Sequence, residues 1–179
     1  MLLSRVALLV VLAGCPLYEQ TLPECNVLDT SSVMLVAADL DGNMIDISDG
    51  TQIPLIGAPQ GGHILLVGAS VRASSDCQLI ATAALRDTAT NRVIGLEQRP
   101  LLLERHSNGW AKPRDGLDAM PNVAVCPSAA ATSSIFDHEY KLEVSLTTLD
   151  GAPILETSAM VTPTCPAGDM YCQNDCGAI

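Results

Sequence analysis

The chain predicts an all-β fold, a single antiparallel β-sandwich of about seven strands stabilised by disulfides. Three observations predict it. Apolar and polar residues alternate from residue 32 to about 163, and turn residues interrupt the alternation roughly every ten positions. No apolar stripe of helical spacing runs beyond about two turns.

The strands follow in order. Leu65, Val67, Ala69 and Val71 alternate with Leu66, Gly68, Ser70 and Arg72, and Leu79, Ala81, Ala83 and Leu85 with Gln78, Ile80, Thr82 and Arg86. Tyr140, Leu142, Val144 and Leu146 alternate most clearly, against Lys141, Glu143, Ser145 and Thr147. Period two means one face inward and one wet. Asp41-Gly42 separates 33–40 from 44–47, and Asp150-Gly151 separates 140–149 from 153–161. Asp-Gly tolerates the positive φ of tight hairpins, so both are predicted turns. Residues 87–91 (DTATN) predict a longer hairpin loop, Gly61-Gly62 a turn, and 117–120 and 129–136 short helices at most.

The first fifteen residues, MLLSRVALLVVLAGC, carry a different signal. Arg5 supplies a positive start, 6–12 an apolar run, and small residues lead into Cys15. The run is too short to span a bilayer, which takes about 20 apolar residues. Leu12-Ala13-Gly14-Cys15 resembles the lipobox of bacterial lipoproteins. The resemblance implies cleavage before Cys15, a diacylglyceryl group on its sulfur and an acylated amino terminus, with palmitate-type chains. It also implies an exported protein on a bacterial membrane, the outer before the inner, facing the periplasm or the surface. The expected organisation is a signal peptide over 1–14, a lipidated tether over 15–31, the sandwich over 32–163 and a Cys-rich tail over 164–179.

Composition narrows the partners. A formal net charge of −11 repels nucleic acid and anionic headgroups, so phosphate backbones are not the expected ligand. The chain is 48% hydrophobic, which supplies a core, but only 3% aromatic, so Val, Leu, Ile and Ala must build it. Of seven cysteines, Cys15 is set aside for lipid. Cys25, Cys77, Cys126, Cys165, Cys172 and Cys176 then form an even set, which in an exported protein means up to three disulfides. Cys77 with Cys126 is the expected internal pair, and Cys25 is expected to reach the tail. A metal reading of Cys165, Cys172 and Cys176 would need a fourth ligand and a reducing compartment.

Residues 137–144, Asp137-His138-Glu139-Tyr140-Lys141-Leu142-Glu143-Val144, resemble the end of an immunoglobulin-like or fibronectin-type domain, with a hairpin and a last strand to Val161 following. In those domains a tyrosine at this position bonds back to upstream backbone, a role the resemblance gives to Tyr140. Two features depart from the pattern: no cysteine follows Tyr140 by two, and the sole tryptophan, Trp110, sits in a loop-like NGWAKP run.

Three sites carry candidate chemistry. Asp39, Asp41, Asn43 and Asp46, with Asp49, offer hard oxygens at near-alternate spacing, which suits Ca²⁺. The sixth and twelfth loop positions are Met44 and Gly50, not the glycine and glutamate of an EF-hand, so an acidic hairpin tip is the plainer account. No other cofactor is expected. His63, His106 and His138 are scattered, and no Gly-x-Ser-x-Gly or His-Glu-x-x-His motif accompanies them, so no enzyme activity is expected. Trp110, with Lys112 and Arg114, is either a ligand-binding aromatic loop or a buried core plug. The expected function is a lipid-anchored, non-enzymatic structural or protein-interaction module of the cell envelope. The alternative is a small-ligand or carbohydrate-binding lipoprotein using the loops around Trp110 and Asp115. The expected partners are an envelope protein or a glycan.

Overall fold

The computed structural model describes residues 22–28, 32–39, 41–116, 118–131 and 133–177. The lipobox and Cys15 lie outside the described residues. Eleven strands and one short helix are present: β1 (Met34–Ala38), β2 (Met44–Asp46), β3 (Thr51–Pro54), β4 (Ile56–Gly57), β5 (His63–Arg72), β6 (Cys77–Asp87), β7 (Val93–Arg105), β8 (Trp110–Pro113), β9 (Asn122–Cys126), β10 (Tyr140–Thr147), β11 (Pro153–Thr164) and α1 (Met170–Cys176). The fold is therefore all-β, as its alternation predicts. The count of about seven is corrected upward because β2, β3, β4, β8 and β9 span only two to five residues. Apart from β2, which the Asp41-Gly42 turn marks, runs that short show too few alternations to read. No helix forms among the described residues of 117–120 or 129–136, where turns and bends stand instead.

The strands join in the order β2-β1-β5-β8-β7-β6-β10-β11-β3, with β4 and β9 pairing on β5. The sheet folds over on itself, which buries one continuous core. Gly68 of β5 faces Leu101 of β7, and Gly95 of β7 faces the backbone of Ala124 in β9. Strand β5 is consequently buried at nine of its ten positions, the pattern of a strand covered on both faces. Strand β10 keeps strict alternation, with Tyr140, Leu142, Val144 and Leu146 inward. The core is aliphatic, built on Ile53, Leu55, Leu65, Leu79, Leu85, Leu101, Leu103, Leu142 and Leu146.

One pairing is parallel, correcting the purely antiparallel expectation: β3 runs beside β11, with Val161 opposite Thr51 and Thr164 opposite Pro54. The chain then crosses over. Leu55, fully buried, donates its N–H to Thr164 O at 2.8 Å, and the next two residues pair with β5 as β4. A strand that leaves one layer for the other cannot reveal either partner by local pattern.

Both Asp-Gly turns form, with Gly42 and Gly151 at positive φ between paired strands. Tyr140 Oη donates to Ser134 O at 3.2 Å, the back-bond that the resemblance implies for this position. Burial raises the Tyr140 pKa above its ordinary value.

Three disulfides close the molecule, and their pairing corrects the expectation. Cys77 pairs with Cys25, and Cys126 pairs with Cys176; Cys165–Cys172 closes a short loop in the tail. The reason lies in the segment before β1. Cys25 N–H donates to Gln78 O, Gln78 N–H to Pro23 O, and Gln78 Nε2 to Leu22 O, so this segment lies along the start of β6 and delivers Cys25 to Cys77. The tail is bound separately. Asp169 caps α1 by accepting from Cys172 N–H at 3.0 Å, and Cys176 O accepts from Ile135 N–H at 2.7 Å. Cys25 and Cys176 are thus each tied to the sheet and not to one another.

Candidate functional site

The β7–β8 hairpin builds the site around Trp110. Residues 107–109 turn tightly: Gly109 takes φ +81°, its N–H donates to His106 O at 3.0 Å, and His106 N–H donates to Trp110 O at 2.7 Å. Trp110 therefore opens a strand instead of sitting in the expected loop. Its pairing partner on β5 is Arg72, which is exposed and sets its guanidinium carbon 5.2 Å from the indole centroid. Strand β8 alternates, with Ala111 and Pro113 buried and Trp110 and Lys112 half-buried on the outer face. The sole tryptophan is neither a fully buried plug nor a free tip; it lies against a cation at the surface.

Lys112 stands opposite Glu104 in the register. Arg114 approaches Asp76 at 3.7 Å, and Asp76 Oδ1 accepts the Arg105 N–H at 2.8 Å. Of the predicted trio of Trp110, Lys112 and Arg114, the structure brings Arg72 to Trp110. Arg72 lies 38 residues upstream, so no local signal could have joined it to them. In a chain of net charge −11, Arg72 is the cation that this corner sets against the indole, while Lys112 and Arg114 stand beside Glu104 and Asp76. A guanidinium over an indole contributes about 0.5–1 kcal/mol at an exposed site and pre-orients both groups.

The remaining candidates lie elsewhere. Asp39 spends its oxygens on its own turn, accepting from Asp41 N–H at 2.9 Å, Asn43 N–H at 2.8 Å and Asn43 Nδ2 at 2.9 Å. The Asn43 side chain is the leading cause of the lowered Asp39 pKa. Asp41 and Asp46 are exposed beside it, Asp46 on β2, and Asp49 Oδ1 accepts the Met160 N–H at 2.8 Å across to β11. The Asp39 carboxylate fixes the hairpin, and that of Asp49 the sheet edge.

The three histidines do not converge. His106 sits in the β7–β8 turn and His138 in the turn before β10, both exposed. His63 opens β5, nine positions from Arg72, which at about 3.3 Å per residue puts roughly 30 Å between it and the Trp110 corner. It is buried and faces Asp175 at 3.4 Å, next to Cys172 and Cys176.

A depression of about 590 Å³ crosses the outer face of β7, β6, β10 and β11 between Ala84, Leu96, Ser145 and Thr157. Arg86 donates to Glu143 there at 3.0 Å; with Lys141 beside it, this contact holds the Glu143 carboxyl below its ordinary range. Among the described residues, no helix is long and apolar enough to cross a membrane.

No family model matches this chain, and no curated protein matches it. Among solved structures, the CooA pilin subunit from enterotoxigenic Escherichia coli is similar over 74% of this chain and 99% of its own, at 9% identity and a TM-score of 0.27. Similarity at that level assigns no family.

Proposed function

We propose that this protein is a lipid-anchored module of the cell envelope, in which a disulfide-locked β fold serves a structural or protein-interaction role. The observation that carries the reading is the cysteine arithmetic. Three disulfides take six of the seven cysteines and none includes Cys15, the residue that the lipobox resemblance assigns to lipid. Disulfides at this density belong to an oxidising compartment, which agrees with export. Each buried acyl CH₂ contributes about 0.8 kcal/mol, so two or three chains hold such a domain on a bilayer.

Metabolic labelling with an alkyne fatty acid in a bacterial host tests it. The wild-type chain is expected to carry label and to sediment with membranes; Cys15→Ala is expected to lose both. Unlabelled wild-type protein in the aqueous fraction, starting at a residue other than Cys15, would overturn the reading.

The Arg72–Trp110 stack supports a second reading, a carbohydrate-binding lipoprotein. An indole with one guanidinium against it suits an acidic sugar, which the pair would stack upon and bond to. Titration with uronic-acid oligosaccharides should then shift the emission of the sole tryptophan saturably. Arg72→Ala is expected to weaken that binding about tenfold. Unchanged emission throughout the titration would remove this reading and leave the first in place.

A further inference from the structure

We propose that the tail, with His63, is a redox-gated site for a zinc-class divalent ion, closed while its disulfides are intact and open when they are reduced. An imidazole nitrogen of His63 and the sulfurs of Cys172 and Cys176 lie within 4.8 Å of one another, and all three residues are buried. Cys126 is bonded to Cys176 and Cys165 to Cys172, so four sulfurs stand at or one bond from this cluster. The second observation is His63 itself. It is 5% exposed, and its Nδ1 makes no hydrogen bond; the Asp175 carboxylate stands 3.4 Å away, at ion-pair distance but outside hydrogen-bond geometry. A buried imidazole nitrogen without a hydrogen bond is unfavourable and invites a partner. The same imidazole places a ring nitrogen within 4.8 Å of two sulfurs, so the ring offers a donor at the cluster.

The missing fourth donor of the tail cysteines is therefore supplied by β5, 102 residues upstream of Cys165. Disulfide sulfurs do not serve, because the metal ligand is the thiolate. The gate is opened by a dithiol. Each disulfide takes two electrons and two protons from one dithiol, which leaves as its own cyclic disulfide, so two dithiols convert the two bridges to four thiols. The ion then binds three of these as thiolates, with three protons going to solvent, and His63 completes a Cys₃His set. Tetrahedral bonds of about 2.3 Å place donor atoms about 3.8 Å apart, so the cluster must contract by about 1 Å. Helix α1, only seven residues long, is the part that moves. In the reduced chain the ion takes over from Cys126–Cys176 in holding α1 on β9, and His63 ties it to β5 as well.

The test uses the full mature chain, reduced anaerobically with a phosphine that is removed before Zn²⁺ alone is added. Reduced protein is expected to bind one Zn²⁺ per chain, and oxidised protein none. His63→Gln is expected to weaken binding at least about tenfold, the scale at which even outer-sphere partners of a metal site act. Removing Cys25 and Cys77 together is expected to leave it unchanged. Since His63→Gln keeps every thiol, equal affinity in this variant would mean capture by loose thiols and would overturn the site. So would absence of Zn²⁺ binding by reduced wild type, or dependence on Cys25 and Cys77. Co²⁺ substitution provides a readout independent of the variant's folding: a shifted exchangeable imidazole N–H signal is expected in the wild type, and its absence also overturns the proposal.

Discussion

Replacing Cys126 and Cys176 together by alanine is expected to lower the unfolding free energy of the oxidised protein by about 4 kcal/mol. The pair joins residues 50 positions apart, and the chain-entropy account of a crosslink scales with the logarithm of that separation. The same account gives about 2 kcal/mol for Cys165–Cys172, which closes only seven. The ranking is the sharper part of the prediction, since native-state strain shifts absolute values. The context favours the larger value for Cys126–Cys176. Cys176 is 1% exposed, its carbonyl accepts from Ile135, and the bridge is the direct covalent link between α1 and the sheet. Urea unfolding of the two double variants, with wild-type protein alongside, decides it. Equal losses, or a larger loss for the short loop, would mean that α1 is held by packing and not by the long bridge.

That the long bridges join Cys25 to Cys77 and Cys126 to Cys176 could not be read from the sequence. The parity of the cysteines indicates that six of them pair, but the pairing depends on which strands adjoin. Cys25 reaches Cys77 through backbone bonds around Gln78, which no spacing rule encodes. Strand alternation, in contrast, was legible wherever one face is wet. Strand β10 shows it at all eight positions, while β5, covered on both faces, preserves it only as a run of apolar residues.

The Trp110 corner was legible in part. Asn108-Gly109 is a strong hairpin signal, since Gly109 takes the positive φ such turns require, and it places Trp110 on a strand. The run reads as a loop only if its glycine and proline are counted as breakers. Arg72, reached through β5–β8 pairing, is beyond any local reading. The same holds for His63, which a sequence reading leaves among scattered histidines, and which the β5–β9 register sets opposite Cys126.

Gly95→Ala is the second large effect, expected to cost about 3 kcal/mol. A Cβ at Gly95 would lie 2.2 Å from Ala124 O and 3.0 Å from Val123 Cγ1. The nearer atom is backbone, so no rotamer change relieves the contact. Either β9 moves off β7 or β7 bends, and both open a core whose neighbours Val123 and Val125 are fully buried. Gly57→Ala is the matched control, because a Cβ there meets nothing within 4 Å; it is expected to stay within about 0.5 kcal/mol of wild type. Urea midpoints at unchanged slope measure both. A Gly95→Ala protein as stable as the control would show that β7 and β9 do not meet backbone to side chain. The consequence extends past stability: β9 ends in Cys126, so displacing it also moves the sulfur that secures α1 beside His63.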